Sequence, residues 1–204
     1  TVDYQGEPVQ VDVVMQLEDE VDVSGVFWYN QNIFCRFEDG RLHMSLDYGH
    51  TYTHSIDLSA VASDDADIRT LWIFEDHSLF FADLTRCFYS HDWETYHESK
   101  VYDIDGNPFQ PNPEDHNFSR LSYHANRPII GDRELYVWGN YSTGSSAYNN
   151  INIWMTSDKG VTVRSTYRFR SERMDTGNPI LFTRHMHRVD FCPLDNTLWA
   201  QSGD

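Results

Sequence analysis

Two histidines separated by one residue, His185 and His187, stand beside an arginine in the segment Thr183-Arg184-His185-Met186-His187. On a strand, alternate side chains project to one side, so both imidazoles share a face and Arg184 takes the other. A second polar group, Tyr123-His124-Ala125-Asn126-Arg127, lies at the end of a long irregular stretch. Imidazole changes charge near neutrality, which suits a general base, and a phenol suits a proton donor. His124 or His187 as base with Tyr123 as acid would serve proton abstraction, while Arg127 and Arg184 would neutralise a substrate carboxylate. A binding role uses the same side chains differently. His185, Tyr141 and Tyr148 would hydrogen-bond or stack on a ligand, with Trp138 and Trp154 as further platforms. Paired imidazoles joined by His124 or His116 would also suffice for a metal ion, although neither a metal nor a cofactor is expected. A plainer reading of His185 and His187 is that they are interior histidines satisfied by neighbouring backbone, since Val189 and Phe191 continue the same face.

What positions these residues is a repeated turn. Ser45-Leu46-Asp47-Tyr48-Gly49-His50-Thr51 has the form S-x-D-x-G-x-T, and Thr156-Ser157-Asp158-Lys159-Gly160-Val161-Thr162 repeats it. Ser90-His91-Asp92-Trp93-Glu94-Thr95 keeps the serine, aspartate and threonine but is one residue short and lacks the glycine. A hydroxyl and a carboxylate two residues apart can bond the amides of their own turn, and glycine supplies a positive φ. Ser45, Asp47, Gly49, Thr51, Ser90, Asp92, Thr156, Asp158, Gly160 and Thr162 are therefore expected to be structural. Each copy lies between runs of strand character, such as "RLHMS" before the first and "INIWM" before the third.

The repeat resembles the Asp-box, or BNR, motif of sialidase-like β-propellers. That resemblance implies an all-β fold of four-stranded antiparallel blades, with each box joining a third strand to a fourth. Laid out on this rule, the blades fall at residues 24–60, 66–102, 124–170 and 184–204, about three and a half in one domain. Blade three reads "RPIIG", "ELYVWGNY", "NINIWM", box, "VRSTYRF". Rings close with four to eight blades, so the expectation is a fragment of a larger propeller whose partner is the remainder of the ring.

In the resembled family the boxes lie on the face opposite the ligand site. Ligands are then expected on the other rim, where the long stretches 103–123, 141–150 and 170–183 fall. The resemblance implies no sialidase activity, because the R-I-P motif is absent and Asn126-Arg127-Pro128 matches it only in part. The segment "TRHMHRVDFCPLDNTLWAQSGD" is similar to stretches in uncharacterised Asp-box proteins, some encoded by tailed phages. The expected function is a glycan- or protein-binding module of a virion or secreted protein. The alternative is a hydrolase or lyase acting on an acidic polysaccharide.

Composition limits the remaining possibilities. Forty per cent apolar and 15% aromatic residues are too many for disorder and favour sheets. With 32 acidic against 15 basic residues the net charge is −17, which repels nucleic acid and anionic membranes. No apolar run is long enough for a membrane-spanning helix, and the absence of an initial Met fits a processed chain. The three cysteines, Cys35, Cys87 and Cys192, form no C-x-x-C pair and are expected to be buried free thiols. Two sequons begin at Asn117 and Asn140, and Asp103-Ile104-Asp105-Gly106 is expected to be a plain turn because its glycine comes too early for a calcium loop.

Overall fold

A computed structural model describes residues 25–30, 33–64, 67–112, 117–119, 129–130, 133–141, 151–169, 172–175, 178–181, 185–192, 194–195 and 197–203. The described chain is all β, with no α-helix among these residues. The first sheet runs β1 (Gly25–Asn30), β2 (Ile33–Glu38), β3 (Arg41–Ser45) and β4 (His54–Asp57) in antiparallel chain order. A second repeats the pattern with β5 (Thr70–Ile73), β6 (Leu79–Ala82), β7 (Cys87–Ser90) and β8 (His97–Glu98). Both sheets follow the strand order expected from the turns.

The third sheet departs from that expectation. Its strands are β12 (Tyr136–Gly139), β13 (Ile151–Thr156), β14 (Thr162–Phe169) and, parallel to β14, β9 (Lys100–Tyr102). "RPIIG" does not open this sheet. Its Ile129–Ile130 (β10) forms a separate hairpin with Arg133–Glu134 (β11). The run "YHESKVY", expected as one strand, is divided between sheets at Ser99. The Ser99 amide bonds the Cys87 carbonyl at 2.8 Å, and the next amide, of Lys100, bonds Val161 at 3.0 Å. The stretch expected as a loop after β14 contains a hairpin, β15 (Glu172–Asp175) with β16 (Asn178–Leu181). A last hairpin joins β17 (His185–Cys192) to β18 (Thr197–Gly203).

The sheets pack face to face in chain order: β2 buries one face by alternation, whereas β5 and β6 carry apolar residues on both faces. Cys35, Phe37, Leu42 and Met44 of the first sheet meet Leu71, Ile73, Leu79 and Phe81 of the second. On the second sheet's other side, Trp72, Phe74 and Phe80 meet Tyr136, Trp138 and Trp154 of the third. Beyond these, Leu135, Val137, Ile151 and Ile153 meet Met186 and Val189 of β17. Strands β5 and β6, covered on both sides, are buried at every position. Burial keeps the Cys35 and Cys87 thiols protonated well above the usual thiol range. Cys192 is only half-buried, contrary to expectation, because β18 leaves its strand partly open to solvent.

All three repeated turns close on themselves. The Ser45 hydroxyl accepts from the Gly49 amide at 2.8 Å, and Asp47 accepts from the Thr51 amide at 2.8 Å and its hydroxyl at 2.7 Å. Thr156 and Asp158 accept from the Gly160 and Thr162 amides at 2.9 and 2.8 Å. Gly49 and Gly160 have φ of +89° and +91°, each preceded by a left-handed residue, Tyr48 or Lys159. The shortened copy shows why it needs no glycine. Trp93 takes the left-handed position of Tyr48, with φ 61°, and its own amide reaches Ser90 Oγ at 3.0 Å.

The carboxylates of Asp47 and Asp92 are held at about 2. For Asp47 the chief cause is the Thr51 hydroxyl, then Ser45; for Asp92 it is the amides of Thr95 and Glu94. Since the folded values are depressed, the stabilisation is complete above the unfolded aspartate value near 4 and is lost as pH falls through about 2. Chemical denaturation between pH 5 and 2 is therefore expected to show falling stability, with a shallower fall for Asp47→Asn. Parallel curves for the two proteins would contradict the assignment.

Candidate functional site

The S/T-x-D turns define one end of the molecule. Strand β13 runs into such a turn at Thr156, and Gly139 pairs with Ile153 while Tyr136 pairs with Thr156. The end of β12 and the residues after it therefore lie at the opposite end. There Tyr141 is fixed by its backbone, whose amide donates to the Ser119 carbonyl at 2.7 Å. Its neighbour Asn140 accepts the Asn152 amide through Oδ1 at 2.6 Å and the Met186 amide through its carbonyl at 3.1 Å. The second bond docks the start of β17 beside Tyr141.

Gly139 makes that docking possible. A Cβ there would lie 2.4 Å from Met186 Cβ and 2.5 Å from its Cγ, so only glycine admits β17 this close.

On β17 the ladder skips a residue, since Met186 pairs with Ser202 and Arg188 with Gln201. His187 is the extra residue of a β-bulge, which reverses the alternation beyond it. Met186 and Val189 consequently share the buried face. The expectation that Val189 continues the histidine face is corrected by this bulge. His185 and His187 are left together, half-buried, with ring planes 4° apart and centroids 4.8 Å apart. Their Nε2 atoms lie 2.9 Å apart, a spacing that fits one N–H donating to the other nitrogen's lone pair. The Tyr141 ring is 4.5 Å from that of His185 and 6.5 Å from that of His187.

This arrangement offers one shared proton, a phenol and flat ring surfaces at a strand end. No group of three or more metal-ligating side chains occurs among the described residues. The other members expected at this rim, Tyr123, His124, Arg127, Tyr148 and Arg184, lie outside the described residues, as does His116.

Several expectations for this end are corrected by burial. Trp138 and Trp154 are 3% and 0% exposed, so neither is a ligand platform. They are core residues, with Trp138 stacked on Tyr136 at 4.8 Å and Tyr136 on Trp72 at 4.6 Å. Within the long stretch after β9, residues 117–119 pack inward rather than forming an open loop. Phe118 is fully buried and its carbonyl accepts the Thr70 hydroxyl at 2.5 Å. Both sequon asparagines, Asn117 and Asn140, are 2% exposed and are spent on the hydrogen bonds of this seam. Neither can carry a glycan in the folded chain. The Asp103 turn closes on its own carboxylate, which accepts from the amides of Asp105 and Asn107.

One recurrent device went unread in the sequence. Asp57-x-Ser59, Asp76-x-Ser78, Asp83-x-Thr85 and Asp195-x-Thr197 each bond the hydroxyl and amide two residues on. The D-x-[ST] spacing was its signal. Asp76 also pairs with Lys159, tying the third repeated turn to the second sheet. The aspartates near the turns are thus structural, which leaves the histidine cluster as the chemistry-bearing group at the opposite end. In comparisons with known proteins, no protein-family model and no curated protein matches the chain.

Proposed function

We propose that the chain is part of an Asp-box-type β-propeller and acts as a glycan- or protein-binding module, in a virion or secreted setting. The observation that carries this reading is the convergence of Tyr141, His185 and His187 at the end remote from the repeated turns. Two features support the propeller architecture. Four-stranded sheets, two of them wholly antiparallel, stack in chain order, and a hydroxyl–carboxylate turn follows the third strand of the first two sheets and the second strand of the third. A half-buried tyrosine beside flat imidazoles supplies both an apolar surface and hydrogen-bonding edges, the combination that polyhydroxylated or peptide ligands require.

The test is affinity for a panel of neutral and uronic-acid oligosaccharides, comparing wild type with His187→Ala, Tyr141→Ala and the paired Arg127→Ala/Arg184→Ala variant. Loss of about tenfold or more in the first two variants is expected, the scale of one buried polar contact. Selective loss of acidic sugars in the arginine variant would assign carboxylate recognition to that pair. Unchanged affinity in all three would remove this rim as the site.

A second reading, an enzyme acting on acidic polysaccharide, draws on the imidazole pair itself. One histidine whose proton is held by its neighbour, next to a phenol, has the elements of a base and an acid. New reducing ends or unsaturated uronate on incubation with polyuronates, abolished by His187→Ala, would favour it over binding alone.

A further inference from the structure

Three of the six large apolar side chains that stand exposed among the described residues lie on one hairpin, β17–β18. They are Leu194 at its turn, 94% exposed, with Leu198 and Trp199 of β18 at 42% and 66%. Residues 197–202 of β18 are all exposed, and among the described residues the strand pairs with β17 on one side and with nothing on the other. The first three sheets finish differently, on β4, β8 and β9, strands of four, two and three residues. β18 has seven. Proteins protect a free edge by shortening it or by placing charge or proline on it. Thr197-Leu198-Trp199-Ala200-Gln201-Ser202-Gly203 has neither charge nor proline, which marks this edge as one that is paired in the working molecule.

Charge selects the partner. The chain carries −17, so two copies repel over most of their surface. Along β18 there is no charge to repel or attract, and the two residues of β17 that share the face of Trp199, Arg188 and Asp190, are paired with each other. A charged segment gains no ion pair at this edge. An uncharged strand loses nothing there, and β18 is itself such a strand.

We propose that β18 pairs antiparallel with the β18 of a second copy across a two-fold axis at Ala200, completing a four-stranded sheet from two hairpins. The contact is isologous, so it closes as a dimer and does not propagate. In this register Trp199 stands opposite the partner's Gln201, and the two Trp199 side chains take diagonal positions about 7–8 Å apart, within aromatic reach. The dimer is weak, because two short strands bury less than the roughly 1,200 Å² at which stable interfaces begin. The inference rests on the β18 edge and not on the histidine cluster.

The experiment is sedimentation velocity of the full chain over a range of concentrations, with hydrogen exchange at the dilute and concentrated ends. The mass is expected to rise from one chain toward two, and the β18 amides to exchange more slowly as it does. Added sodium chloride is expected to strengthen the dimer, because it screens the repulsion between two acidic chains. Trp199→Lys and Leu198→Lys, each confirmed folded by circular dichroism, are expected to weaken it about tenfold or more, by setting like charges beside the two-fold axis. Tyr48→Lys is the control. It adds the same charge at a side chain 65% exposed, in the place that Lys159 holds in the third repeated turn, and is expected to leave the dimer intact. A wild type that stays monomeric at every concentration would overturn the proposal: fast exchange in β18 would then show an edge left free, and slow exchange an edge covered by the chain's own residues. A dimer weakened by salt, one unaffected by both β18 variants, or one lost equally in Tyr48→Lys would overturn it as well, by placing the contact elsewhere.

Discussion

Replacing Trp154 with alanine is expected to cost about 3–5 kcal/mol of folding stability, the usual range for deleting a fully buried large aromatic. Trp154 is 0% exposed, at the middle of the core between the second and third sheets. Its ring meets Phe109 at 4.9 Å and Phe118 at 5.1 Å, and its Nε1 donates to the Asn117 carbonyl at 2.9 Å. The residue therefore holds a segment as well as a sheet, since residues 117–119 are anchored partly through that bond. Trp154→Phe separates the two contributions. It retains most of the apolar volume but leaves the Asn117 carbonyl without its donor, a loss of about 1–3 kcal/mol. Urea denaturation of the three proteins provides the comparison. A loss below about 1 kcal/mol for Trp154→Ala would mean that this seam is not part of the cooperative core.

The same seam shows what could and could not be read from the sequence. The first two sheets were legible because two signals agree there: alternating apolar residues such as Ile33, Cys35 and Phe37, and a self-closing turn after the third strand. The third sheet was only half legible. Nothing in "YHESKVY" marks Ser99 as the point where the strand changes sheets, because each half has acceptable strand character and the choice depends on which partner lies alongside. Residues 117–119 sit in a stretch rich in Pro and Asn, and composition of that kind reads as an exposed loop. Trp138 and Trp154 are amphipathic by type, so their burial is decided by packing alone. At the candidate site, the pairing of His185 with His187 followed from their spacing. The bulge that turns Val189 away from them has no compositional signature, and Gly139, which admits β17, showed no turn that would have singled it out.

Gly139→Ala is expected to destabilise the protein by about 1–3 kcal/mol, as overpacking of a close backbone approach does, and to disable the histidine cluster more than it destabilises the fold. The added methyl would meet Met186 Cβ at 2.4 Å and Cγ at 2.5 Å, with Val189 Cγ2 at 3.3 Å. Rotating the Met186 side chain relieves only the second contact, since Cβ is fixed to the backbone. Strand β17 must therefore move away from β12, stretching the Met186 amide bond to the Asn140 carbonyl and separating His185 and His187 from Tyr141. Gly160→Ala supplies the control. Its φ of +91° and a Cβ position 2.7 Å from Phe80 Cδ2 make it comparably strained, but it lies in the third repeated turn, at the far end of the same sheet. Both variants are expected to melt earlier than wild type, and only Gly139→Ala should also lose affinity at the rim when binding is measured well below its melting temperature. Equal rim affinity for Gly139→Ala and wild type would show that the docking of β17 on β12 does not assemble the site.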